Sequence, residues 1–110
     1  IEAFRDRQVG RALQLIHEKP AEGWTVESLA GAVGMSRSRF AERFRSLVGL
    51  GPMAYLADWR LQKALALLDR SHFSVQQVAH AAGYKSPAAF SRAFAGRFGI
   101  APSAYRRGVA

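Results

Sequence analysis

The sequence predicts an all-α fold in which two matching helical units are joined by one long helix, about seven helices in all with no sheet. Three observations predict it. Apolar residues recur at the i, i+3, i+4, i+7 spacing of one-sided helices. Capping residues and glycines punctuate these stripes at short intervals. The second half of the chain also repeats the first. "TVESLAGAVG" (25–34) matches "SVQQVAHAAG" (74–83), "GMSRSRFAERF" (34–44) matches "GYKSPAAFSRAF" (83–94), and "FRSLVGLGPMAY" (44–55) matches "FAGRFGIAPSAY" (94–105). The period is about 49 residues at first and about 50 later, so one residue is inserted between Gly83 and Ser86.

The elements follow in order. Residues 5–19, "RDRQVGRALQLIHEK", form an amphipathic helix with Val9, Ala12, Leu13 and Ile16 inward, and "PAEGW" (20–24) links it onward. Thr25 caps a helix whose stripe is Val26, Leu29, Ala30 and Val33, and Ser74 caps its copy, striped by Val75, Val78, Ala79 and Ala82. Ser74 and Gln77 make a capping box. Gly34 and Gly83 stop these helices where a left-handed residue is wanted. A second helix then starts at once, capped by Ser36 in one copy and by Ser86 in the other, with Pro87 at the first helical position where its missing N–H costs nothing. Its inner side carries Phe40, Phe44 and Val48, or Phe90, Phe94 and Phe98. Gly49 to Pro52 and Gly99 to Pro102 end these helices, and each Pro begins another.

A short helix, a glycine turn and a second helix make a helix-turn-helix unit. One such corner is a weak signal, but two with matching caps, stripes and turns are a strong one. Between them "PMAYLADWRLQKALALLDRS" is apolar at Tyr55, Leu56, Trp59, Leu61, Ala64, Leu65 and Leu68. About 19 helical residues would span about 28 Å, against the roughly 34 Å between successive major-groove entries on one face of B-DNA. The expected organisation is a first subdomain over 1–53, a linker helix over 54–71 and a second subdomain over 72–110.

Composition narrows the partner. The formal charge is +8, with no acidic residue after Asp69 while Lys85, Arg92, Arg97, Arg106 and Arg107 lie beyond it. Arg greatly outnumbers Lys, and its planar fork of donors suits phosphate and guanine edges. No apolar run approaches the roughly 18 residues of a membrane span. There are no cysteines, which excludes disulfides and thiolate metal sites and suits a reducing cytoplasm. The chain opens on Ile1, inside a charged helical pattern, and is read as a piece of a longer protein.

With the paired Phe facing inward, a helical wheel turns Ser38, Glu42 and Arg45 outward, flanked by Arg39, Ala41 and Ser46. The same wheel on the second copy turns out Ala88, Arg92 and Ala95, flanked by Ala89, Ser91 and Gly96. Small residues let a helix enter a groove about 12 Å wide and let Ala meet thymine methyls, and Arg92 is the candidate for a bidentate guanine contact. Arg39 and Arg45 are placed to reach bases. Ser36, Arg37, Lys85, Ser86 and Arg106 are candidates for phosphate, the two Ser at helix N-termini where N–H groups favour anions.

The motif "F-S-R-A-F-x-x-x-F-G-I-x-P-x-x-Y-R" (90–106), with "Y-x-x-x-W-R-L-x-x-A-x-x-L-L" (55–68), resembles the DNA-binding domain of AraC/XylS-type transcription regulators. The resemblance runs from about Arg5 to Arg107. It implies a seven-helix, two-lobed domain that inserts helices 37–48 and 87–98 into adjacent major grooves of an asymmetric promoter site on double-stranded DNA. It implies RNA polymerase as a further partner, an activator role, a bacterial and cytoplasmic (nucleoid-associated) setting, and an N-terminal sensing domain outside this chain, in some members a cupin-like barrel. Carried over by position, the base-reading places are Ser38, Ala41 and Glu42, with Arg37 beside them, and Ala88, Ala89 and Arg92. Glu42 stands where the family has Arg. Glu can accept from a cytosine amino group but repels phosphates, and pairing with Arg39 or Arg45 is its alternative use.

An enzyme is not expected. His17, His72 and His80 are scattered, with no paired carboxylate, nucleophile or glycine-rich phosphate loop, and no cofactor or metal is called for. The remaining rival is a protein-interaction or dimerisation module with a basic surface.

Overall fold

The computed structural model describes residues 2–108. It contains eight helices among them: α1 (Glu2–Arg5), α2 (Arg7–Glu18), α3 (Val26–Ala32), α4 (Arg37–Val48), α5 (Pro52–Arg70), α6 (Val75–Ala81), α7 (Pro87–Phe98) and α8 (Pro102–Arg106). The chain divides into two units, the first ending at Trp59 and the second beginning at Arg60, inside α5. None of the described helices is long and apolar enough to cross a membrane.

The one element beyond the seven expected is α1. The helix expected over 5–19 is interrupted at Asp6, whose backbone is extended and whose side chain accepts from the N–H groups of Gln8 and Val9 as the N-cap of α2. Gly10 lets α1 lie close to α2, since a Cβ there would come within 2.9 Å of the Phe4 carbonyl oxygen.

Each unit has its own core. In the first, α2 contributes Val9, Leu13 and Ile16, α3 contributes Leu29 and Ala30, α4 contributes Phe40 and Phe44, and α5 closes the cluster with Leu56. In the second, Leu61, Ala64 and Leu68 of α5 meet Val78 and Ala79 of α6 and Phe90 and Phe94 of α7. The long helix is therefore structural in both units: its first turns complete one core and its later turns the other. The paired rings hold the same geometry twice, Phe40–Phe44 and Phe90–Phe94 each at 5.7 Å between centroids.

The turns between the helices of each unit are also the same. Gly34 and Gly83 adopt positive φ. Met35 donates to the Ala30 carbonyl and Tyr84 to the Ala79 carbonyl, both at 2.9 Å, while Gly34 and Gly83 donate to Gly31 and His80. This double pattern is the Schellman closure of a helix. Met35 and Tyr84 then pack on their own cores. They are structural equivalents, so Lys85 is the inserted residue.

Candidate nucleic-acid interface

The sequence sets the start and orientation of α4 and α7 with few residues. Ser36 Oγ accepts from the Arg39 N–H at 3.3 Å, and Ser86 Oγ accepts from the Ala89 N–H at 3.1 Å. Each hydroxyl keeps its own proton as a donor. Phe40, Phe44, Phe90 and Phe94 are fully buried, which fixes the rotation of both helices about their axes. The opposite faces are thereby turned to solvent.

On α4, the side chains of Arg37, Ser38, Arg39, Glu42 and Arg45 are exposed and Ala41 is half-buried at the edge. On α7, Ala88 and Arg92 are exposed, and Ala89 and Ala95 are half-buried. Lys85 and Ser86 are exposed just before α7. The expected base-reading and phosphate residues of the two helices are thus exposed, apart from half-buried Ala41 and Ala89.

Arg106 departs from this grouping. Its guanidinium donates to the carbonyls of Leu67 and Leu68 at the end of α5, to that of Ser71, and to that of Phe73. It closes the C-terminus of the long helix, where a cation also meets the negative end of the helix dipole. Nε, Nη1 and Nη2 all bond within the fold, which leaves one Nη1 N–H of this half-buried side chain and sets Arg106 apart from the exposed candidates for phosphate. Tyr105 beside it donates to Asp69 at 2.7 Å, which raises the phenol above its ordinary value.

The charge on α4 is also apportioned unevenly. Arg37 lies 3.8 Å from Glu27 of α3, both well exposed. Arg43 forms a close pair with Asp6, its Nε and Nη2 each 2.6 Å from Oδ2. Two backbone N–H bonds, that of Val9 foremost, and Arg43 together hold the Asp6 carboxyl below its ordinary value, against the opposing effect of burial. No ion pair joins Glu42 to Arg39 or Arg45 in the described structure, so the alternative of an oriented pair is not formed. Met35, Arg39, Glu42, Arg43 and Ser46 line a shallow groove along this edge of α4.

Two features have little or no signature in the sequence pattern. The Asp6–Arg43 pair spans 37 residues and has no local signal. Asp6 itself is legible as a capping residue before a periodic helix, and that cue would have placed the break between α1 and α2. Elsewhere in the first unit His17 shares a 2.6 Å hydrogen bond with Tyr55 and stacks on Trp59 at 4.1 Å, and burial lowers its pKa. Among the described residues no His, Asp and Glu cluster is placed to hold a metal ion.

Comparison with known proteins identifies the same arrangement. The helix-turn-helix domain family matches residues 29–108. The HTH-type transcriptional regulator AlkR of Acinetobacter baylyi is 45% identical over 105 residues, covering 96% of this chain and 34% of that protein. The RCS-specific HTH-type transcriptional activator RclR of Escherichia coli is 40% identical over 102 residues, 93% of this chain and 36% of its own length. The chain therefore spans about a third of these relatives. Among solved structures, the DNA-binding domain of AdpA in complex with a target DNA aligns with a TM-score of 0.86 at 37% identity, over 90% of this chain and 89% of that one. An AraC-type transcriptional regulator from Chromobacterium violaceum aligns with a TM-score of 0.86 at 28% identity, over 98% and 96%.

Proposed function

The chain belongs to the AraC-type helix-turn-helix family, and from that premise we propose that it is the sequence-specific DNA-binding domain of a transcription regulator. In this reading α4 and α7 enter adjacent major grooves of an asymmetric promoter site on double-stranded DNA. The observation that carries it is the duplicated unit, in which buried Phe pairs turn two helices so that unlike polar faces meet solvent. Packing explains the inner faces completely. It gives no reason for Arg92 to stand alone among alanines on the outer face of α7, or for Arg39 and Arg45 to stand exposed on α4.

The base-reading residues are Ser38, Arg39, Ala41, Glu42 and Arg45 on the first helix and Ala88, Ala89 and Arg92 on the second. Arg92 takes a guanine through paired donors, Ala88 and Ala89 lie against thymine methyls, and Glu42 accepts from a cytosine amino group. Ser36, Arg37, Lys85 and Ser86 bind phosphates and fix register without reading sequence. Arg37 exchanges Glu27 for phosphate easily, because an exposed pair at 3.8 Å contributes little. The domain acts by binding rather than catalysis, in the cytoplasm on the nucleoid. RNA polymerase is the proposed protein partner and a sensor domain the proposed remainder of the longer protein, in keeping with relatives about three times the length of this chain.

A competition experiment tests the reading. A duplex selected by this domain should displace it from random DNA, and binding to either should weaken steeply as salt rises, because phosphate contacts release counterions. Equal competition by selected and random duplexes would reduce the protein to a nonspecific polyanion binder.

A further inference from the structure

Resting on the DNA-binding reading above, we propose that Asp6 is a positioning residue that sets specificity: it withholds Arg43 from the phosphate backbone, leaving Arg37, Arg39 and Arg45 as the active cations of α4. The geometry makes the acid, not the base, the anchor. The Asp6 carboxylate receives four donors, the N–H groups of Gln8 and Val9 at 3.1 and 2.9 Å and two N–H groups of Arg43 at 2.6 Å. Its side chain is 11% exposed, while that of Arg43 is 56% exposed. Drawing Arg43 away to a phosphate would strand a largely covered carboxylate with only its capping bonds. Charge-assisted bonds to an arginine fork are among the strong ones, so the guanidinium stays.

The other arginines of α4 are held differently. Arg37 has a loose, exposed partner. Arg39 and Arg45 have no acidic partner among the described residues and stand exposed. Arg43 lines the same shallow groove as Arg39, Glu42 and Ser46, so a released guanidinium would join the DNA-facing side. The second unit has no such problem to solve, since Ala93 of α7 occupies the position of Arg43.

Phosphate contacts supply sequence-independent affinity and base contacts supply discrimination. Neutralising a cation beside the reading face lowers binding to random DNA while leaving the readers in place.

The test uses Asp6→Asn, which keeps a good N-cap acceptor but removes the charge. It should bind random duplex more tightly and steepen the plot of log affinity against log salt by about 0.9, the increment for one additional phosphate neutralised. The same change means an extra loss of about 3.5-fold between 50 and 200 mM salt. The preference for a selected duplex over random should fall. Adding Arg43→Gln should return the slope to the wild-type value, and Arg43→Gln alone should leave it unchanged. An Asp6→Asn variant that melts earlier but keeps slope and preference would overturn the inference, making Asp6 a tie within the fold only. So would a flatter slope in Arg43→Gln alone, which also decides the matter if Asp6→Asn fails to fold. A wild-type domain that does not prefer its selected duplex would instead overturn the underlying DNA reading, and this inference with it.

Discussion

In the first unit the outer face of α4 carries Ser38, Arg39, Glu42 and Arg45, whereas the matching face of α7 carries Ala88, Arg92 and half-buried Ala95. The inner faces vary in size but not in apolar character. The buried Phe pairs, the Ser caps and the glycine turns recur with the same geometry. Positions that packing dictates therefore stay apolar in both units, with exchanges such as Val48 for Phe98 and Met35 for Tyr84, while positions that packing leaves free change in charge and size. Freed positions can take up a recognition role, and two unlike faces suit two unlike half-sites. The units also dispose of charge differently. The first pairs Arg43 with Asp6 and Arg37 with Glu27, while the second, with no acid beyond Asp69, turns Arg106 onto backbone carbonyls.

The largest effects should be alike in the two units. Phe44→Ala and Phe94→Ala each remove a fully buried ring and should each cost about 3–5 kcal/mol in a urea unfolding titration. A loss confined to one of them would break the equivalence of the two cores.

The contrast on the outside is sharpened by two arginines. Arg92→Ala should cost about 1–3 kcal/mol of binding and relax preference at one base pair; a uniform loss across sequences would make Arg92 a phosphate contact. Arg106→Ala should leave base preference and salt slope untouched. Its cost should appear in thermal stability, about 1–3 kcal/mol for the orphaned carbonyls at the end of α5.

Smaller and again symmetric, Gly34→Ala and Gly83→Ala force a side chain into the left-handed region. Each should lower stability by roughly 1–2 kcal/mol in thermal melts. Nothing lies within 4 Å of a Cβ added at Gly34, so the cost there is conformational and not a clash.

The smallest effect is particular to the first unit. Burial lowers the pKa of His17 from its ordinary 6.5, so the unfolded chain takes up a proton before the folded one does. Stability should therefore be fully present above about pH 6.5 and decline as pH falls from there toward the lower folded value. Melting curves of the wild type should show that decline, and His17→Gln should remove it.

The sequence is most legible where its signals are local. Ser36 and Ser86, with Pro87 and the glycines, bracket α4 and α7, and the expected spans 37–48 and 87–98 are the observed ones. The four-residue spacing of Phe sets the rotation of both helices, and with it which side chains face solvent. What stays hidden depends on tertiary proximity. Nothing near Arg106 in the chain announces that Leu67, Leu68, Ser71 and Phe73 will turn their carbonyls toward it, and nothing near Arg43 announces Asp6. A charged residue reads the same in a sequence whether it faces a phosphate or a neighbouring helix.

The most direct test of two unlike readers is selection of binding sites from random DNA by this domain, with footprinting of the winning duplex. Two different half-sites about one helical turn apart are expected, both protected by a single copy of the domain. A palindromic motif, or protection of one half-site only, would contradict the assignment of two unlike readers.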